Sequence, residues 1–472
     1  MNNITLVPLF DAFQLGIRKY RTLATRLAII LCVLFISAQI LPRRSESDLI
    51  FLLVFIVGAS IALLFFRWPV LGLAVFVFGS ILLPISIGTG TNTELNIAIV
   101  MILVLTGFWV LDLITKKVGI HYSRTLIPLG GFIVVSLLAF GYGQLPWFVY
   151  ADKAPVATQV GALAIFLLTA AAFLIGAYQV KDIRWLQWLV WIYLAAGTYR
   201  LLARHVPDLG PILTSFLPRG SAGGVLAAWV IPLTAAQVLF NKRLKPFWRG
   251  ALGLLTIIGL YFNIAKTEYS SGWLPMVAAM AIILFLRFPR LGVMGMILGG
   301  IFILINFQRL YNLVITGNEY SLITRTEAWR ILYEIILINP VLGLGPANYR
   351  NVTAFYPILG FYVPFNSHNN YIDIIAQIGI LGLLFFLWLE LEIGLLGLRL
   401  RNRVPEGFPK AFVYGALGGL GGILVAAMLG DWVIPYVYNV GYNGLRSSAL
   451  AWFFLGALVF LEHKYPDPNP PE

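Results

Sequence analysis

Residues that handle anions and protons crowd into one stretch of the chain, from Arg325 to Gly382. His368 carries an imidazole, which can take up a proton near neutral pH. Arg325 carries a permanent cation whose planar fork suits carboxylate or phosphate oxygens. Asn369 and Asp373 follow His368 one helical turn apart and so share a face. Gly343, Gly345, Gly379 and Gly382, with Pro340 and Pro346, mark tight backbone between these side chains. Each residue also has a plainer reading. An arginine at a helix end can serve a structural ion pair, and a lone histidine a structural hydrogen bond.

Other candidates lie outside this stretch. Arg219 stands in Leu217-Pro-Arg-Gly-Ser-Ala-Gly-Gly224, at the start of a predicted helix, where backbone N–H groups can add to its charge in holding an anion. Lys266 opens Lys266-Thr-Glu-Tyr-Ser-Ser-Gly-Trp273 and offers a point cation, although Glu268 can pair with it. Asp431-Trp432 occupies a turn between two late helices, where the acid either orients His368 or an arginine or is an ordinary helix-end carboxylate. No metal site is expected: His121, His205, His368 and His463 are scattered, and Cys32 is the single cysteine. The chain has no Gly-x4-Gly-Lys-Ser/Thr loop, so ATP hydrolysis is not expected.

The elements that position these residues are membrane helices. Hydrophobic residues make up 60% of the chain and charged ones only 11%, and apolar runs of roughly 17–20 residues recur from end to end. The expected fold is an all-α polytopic membrane protein of about 12–14 transmembrane helices in a single transmembrane domain over residues 1–472. The runs fall at 25–41, 49–66, 69–87, 96–114, 125–141, 159–178, 186–202, 222–240, 250–267, 272–287, 291–307, 368–397, 411–430 and 445–461. The net charge of +13 does not call for nucleic acid. With both termini in the cytoplasm, about two thirds of the Lys and Arg residues fall on the inner face, as the positive-inside rule expects. That orientation puts Arg325 and His368 on the outer face.

One long outer loop, residues 308–367, is predicted to carry its own amphipathic helix. Thr324 and Glu327 form a Thr-x-x-Glu capping box. Trp329, Leu332, Tyr333 and Ile336 then recur on one apolar face, and Arg325, a turn earlier, shares it. Further on, Ala376, Gly379 and Gly382 leave a thin strip on which a neighbouring helix can pack. Residues 465–472 read as a disordered, Pro-rich tail.

The pattern His368-Asn369-x9-Gly379-x2-Gly382 resembles the signature of the O-antigen ligase superfamily, which also contains the O-antigen polymerases. Arg325…Trp329…Pro340-x2-Gly343-x-Gly345-Pro-x-Asn348 resembles the periplasmic-loop signature of that family. The resemblance spans roughly Ser215 to Leu461. It implies a GT-C-like bundle in the bacterial inner membrane, with its active site on the periplasmic face. It also implies inverting glycan transfer from undecaprenyl pyrophosphate to a lipid or glycan acceptor, with no cofactor and no obligatory metal. On that reading Arg325 and Arg219 hold the pyrophosphate and Lys266 assists. His368 is the base, and Asn369, Asp373, Trp329 and Asp431 support it. Ligase and polymerase differ only in the acceptor. A transporter of a small anion such as inorganic carbon is the alternative from another class, since some relatives were once proposed to act so; it would need charges lining a path through the bilayer.

Overall fold

The computed structural model describes residues 65, 67–88, 94–116, 120–147, 149–266, 270–308 and 319–467. The expected crossings at 25–41 and 49–66 lie outside these residues, save Phe65, as does the tail beyond Asp467. The chain clusters into two compact units, Met1–Pro69 and Val70–Glu472; every candidate site residue belongs to the second.

This second unit is helical almost throughout. In order come α1 (Pro69–Leu82), α2 (Ile97–Lys116), α3 (Leu126–Tyr142), α4 (Val156–Tyr178), α5 (Ile183–Leu202), a short α6 (Gly210–Thr214), α7 (Gly224–Phe240), α8 (Pro246–Lys266), α9 (Ser270–Arg287) and α10 (Pro289–Ile305). There follow α11 (Glu319–Ile336), a short α12 (Tyr349–Thr353), α13 (Asn370–Arg403), α14 (Phe408–Leu429) and α15 (Gly441–Lys464). Six of them, α2, α4, α8, α13, α14 and α15, are long and apolar enough to cross a membrane, and five shorter apolar helices accompany them. The protein is thus a multi-pass helical membrane protein. Each described apolar run of the sequence became a helix, because a run with no polar backbone partner in lipid must satisfy its own peptide groups.

The sequence pattern missed one antiparallel hairpin, β1 (Ser86–Gly88) with β2 (Glu94–Asn96), paired Ile87 to Leu95. It joins α1 to α2. α15 is central, with the span window wholly buried inside the protein. It runs parallel to α4: Tyr442 at its start lies against Gly161, and His463 at its end stacks near Tyr178.

Two expectations about the loop helix need correction. α11 starts at Glu319, so Thr324 and Glu327 lie inside it and form no capping box. Glu327 instead pairs with Arg330 at 2.8 Å, a hydrogen bond that pulls its carboxyl below the ordinary range. The buried face is Ala328, Ile331, Leu332 and Ile335, whereas Tyr333 is 65% exposed. That face closes a small separate core with Leu344, Tyr349, Val352, Ala376 and Tyr436. Burial of each large aliphatic side chain contributes on the order of 1.5–3 kcal/mol, which fastens the loop to the end of the bundle.

α13 also departs from the single long helix expected. It breaks at Gly379, whose φ of 73° and ψ of −178° lie outside helical space. The 340–345 turn enters the break. Ile380 N–H donates to Pro340 O at 2.8 Å, while Leu344 N–H and Gly345 N–H donate to Ala376 O and Gln377 O, both at 3.0 Å. The peptide groups that a broken helix leaves without partners are thereby satisfied. Gly379 is therefore a crossing point of two chain segments, not part of a strip for a neighbouring helix.

Candidate active site

His368 sits at the mouth of α13, in a turn held from three sides. Its own φ is 50°, a left-handed conformation that costs a non-glycine residue of order 1–3 kcal/mol and persists only where the surroundings fix it. Asn369 is the N-cap of α13: its side-chain oxygen accepts from Tyr371 N–H at 3.0 Å and Ile372 N–H at 3.4 Å. Ser367 Oγ accepts from Asn369 N–H at 2.9 Å and donates to the buried Asp373 carboxylate at 2.7 Å. Tyr349 Oη donates to the same Asp373 oxygen at 2.5 Å; burial first, and then that carboxylate, push the Tyr349 phenol well above its usual range. Neither Asn369 nor Asp373 hydrogen-bonds the imidazole. Both fix the backbone that carries it.

Trp329 reaches the same turn from α11, with its indole N–H donating to Ser367 O at 2.7 Å. One turn earlier, Arg325 donates to Leu429 O at 3.2 Å, at the end of α14. Burial lowers its guanidinium from its ordinary value, and the nearby Asp431 carboxylate acts the other way. Arg325 thus faces the bundle and lies close to Asp431.

Asp431 is 1% exposed and belongs to a turn clasped by Asn370. The Asn370 side chain accepts from Val433 N–H at 2.9 Å and Ile434 N–H at 3.3 Å and donates to Ile434 O at 2.6 Å. From this turn Asp431 Oδ1 accepts from Asn439 Nδ2 at 2.7 Å. The same Asn439 nitrogen lies 3.3 Å from His368 Nδ1, and Asp431 Oδ1 lies 3.8 Å from Nδ1. An amide nitrogen has two hydrogens to give. With one on the carboxylate, the other reaches Nδ1 in the tautomer that leaves this ring nitrogen unprotonated.

Arg219 comes in from the other side. Its turn passes so close to α15 that a Cβ on Gly220, whose φ is 74°, would lie 2.3 Å from Asn443 O. Arg219, Asn439 and Arg446 line one cavity of about 460 Å3. Lys266 ends α8 with an exposed side chain; among the described residues no hydrogen bond or ion pair ties it to the others, and Glu268 lies outside them. Among the described residues, no three His, Cys, Asp or Glu side chains converge as a metal site would require.

A family model described as O-antigen ligase matches residues 254–387, the segment that holds Lys266, Arg325, Trp329, His368, Asn369 and Asp373. This segment belongs to the O-antigen ligase family. No curated protein matches the chain. Membership carries a ligase- or polymerase-type glycosyl-transferring activity in general, and with it a lipid-linked glycan substrate at a bilayer.

The family segment ends before Asp431 and Asn439, which complete the imidazole's surroundings. Asp431 was a candidate from sequence. Asn370, Asn439 and Arg446 were not. Asn370 adjoins His368-Asn369, and that adjacency was its available signal. Asn439 had none, since His368 lies 71 residues away; the signal for Arg446 was a charge inside the expected crossing 445–461.

Proposed function

We propose that the protein moves a glycan from undecaprenyl pyrophosphate to an acceptor hydroxyl at the outer face of the inner membrane. The observation that carries this reading is the chain His368–Asn439–Asp431 beside Arg325, in contact with the segment that matches the ligase family. The acceptor oxygen attacks the anomeric carbon as the bond from that carbon to the pyrophosphate oxygen breaks. Attack opposite the leaving group inverts the centre. The electron pair leaves on the pyrophosphate, whose charge Arg325 and Arg219 meet as it grows, with Lys266 assisting from α8. The hydroxyl proton goes to the His368 imidazole, and the buried Asp431 carboxylate, linked to the ring through Asn439, stabilises the imidazolium. α11, pinned to Ser367 through Trp329, keeps bulk water from the activated sugar.

The test is transfer by the purified full chain, given undecaprenyl-pyrophosphate glycan and candidate acceptors, for wild type, His368→Ala and Arg325→Ala. Both variants should lose transfer by two orders of magnitude or more. A glycan joined to a lipid or surface anchor marks a ligase; a lengthened lipid-linked glycan marks a polymerase. Transfer that survives both substitutions, or a labelled-anion flux into liposomes without any transfer, overturns the reading.

A further inference from the structure

Arg446 has no part in the reaction as proposed, yet its setting is that of a ligand group. It is 2% exposed in the first turns of α15. Its two terminal nitrogens donate to Leu83 O at 2.8 Å and Ile85 O at 2.9 Å, which orients the guanidinium. Its Nε is buried without a hydrogen-bond partner. Backbone carbonyls satisfy hydrogens but do not neutralise charge, and a buried cation normally meets an anion. The cavity it lines, about 460 Å3, also exposes Arg219, with Asn443 and Tyr442 on the α15 side. Glu94 is the acid in the lining; its charge acts on Arg446, and Ser86 Oγ donates to it at 2.6 Å. Two cations against one acid leave an excess of positive charge in a recess that meets His368 through Asn439.

We propose that this cavity is an anion subsite of the donor, in which Arg446 and Arg219 hold a phosphate or carboxylate group. Its role in transfer rests on the function proposed above, but binding of the anion does not. Two groups have the required chemistry: the carrier's pyrophosphate, or an acidic sugar near the reacting end of the glycan. The subsite is assembled by β1, the Arg219 turn and the start of α15, none of which lies in the family segment.

Binding of inorganic pyrophosphate and of glucuronate to the purified full chain, in detergent, tests this directly. Wild type, Arg446→Gln, Glu94→Gln and His368→Ala are compared by titration calorimetry. Glu94→Gln keeps an oxygen for Ser86 and removes the opposing charge, so one of the two anions should bind several-fold tighter. A purely structural cavity would not respond in this way. Arg446→Gln should weaken the same anion at least tenfold, and His368→Ala should leave it within twofold of wild type. Preference for pyrophosphate assigns the subsite to the leaving group; preference for glucuronate assigns it to an acidic sugar. The inference is overturned if wild type binds neither anion, if Glu94→Gln does not tighten binding, or if folded Arg446→Gln binds like wild type. Glu94→Gln decides the matter where Arg446→Gln does not fold. Transfer without anion binding in the cavity would sink this inference alone. Anion binding by a protein that transfers nothing would sink only the function.

Discussion

The carbonyl oxygen of Val341 occupies the place where a side chain on Gly379 would begin: a Cβ built there lies 2.0 Å from it. Gly379 is also at φ 73°, so alanine would meet both a backbone clash and a left-handed backbone. Neither can relax cheaply, because Val341 is held in place by its carbonyl, which accepts from Leu381 N–H. Gly379→Ala should cost at least about 2 kcal/mol. Gly382→Ala is the control, since the atoms nearest its Cβ belong to the Ile378 side chain, which can shift, and not to backbone. Thermal unfolding in detergent should show a clearly lower midpoint for Gly379→Ala than for Gly382→Ala. Equal midpoints would remove the crossing of the two segments as an explanation for this glycine.

The indole of Trp329 ties α11 to Ser367, the residue before His368. Trp329→Phe keeps most of the apolar packing and deletes the hydrogen bond, at a cost of about 0.5–1.5 kcal/mol. The expected effect is local: faster amide hydrogen exchange in 367–369 and reduced transfer, with little change in the exchange of α14 or α15. Unchanged exchange at 367–369 would show that the indole does not hold this turn.

The bundle was legible in the sequence to a degree the site was not. Hydrophobic length alone placed the described apolar helices, because lipid leaves a backbone few other solutions. α11 was found, but its start and its buried face were misjudged. A Thr-x-x-Glu spacing occurs inside helices as readily as at their ends, and Glu327 had a better partner in Arg330. Gly379 announced unusual backbone without saying which segment would fill the space. His368, Arg325 and Asp431 carried the chemistry in their side-chain types. Asn439 did not: it lies 71 residues from His368, in a turn with no periodicity. A contact that exists only after α14 and α15 have packed leaves no mark on the local pattern.

Asn370 clasps the Asp431 turn through three hydrogen bonds to Val433 and Ile434. Asn370→Ala leaves buried backbone groups without partners, each costing about 1–3 kcal/mol. Asn370→Asp keeps the acceptor but sets a carboxylate oxygen against Ile434 O where a donor stood. Both variants should lose stability and transfer together, with the aspartate variant no better than alanine. A variant that lost neither would show that Asp431 is fixed by other means.

Asn439 offers the sharpest distinction between a spacer and a working relay. Asn439→Ala removes the link between His368 and Asp431 and should lower transfer by roughly ten-fold or more, on the order of 1–2 kcal/mol. Asn439→Asp keeps the shape but puts a second carboxylate within 2.7 Å of the position of the first. Two carboxylates that close cannot both ionise without cost, so one is driven to bind a proton. The sign follows from that coupling. A proton bound between the two acids restores a hydrogen bond across them, and as pH rises it is lost and the carboxylates repel. Transfer by Asn439→Asp, relative to wild type at each pH, should therefore improve on acidification and fall on alkalinisation. Asn439→Ala has no added acid and should lack the coupled-carboxylate recovery on acidification. A pH-independent ratio for Asn439→Asp would mean that the amide does not lie between the two groups during the reaction, and Asp431 would then act on His368 through charge alone.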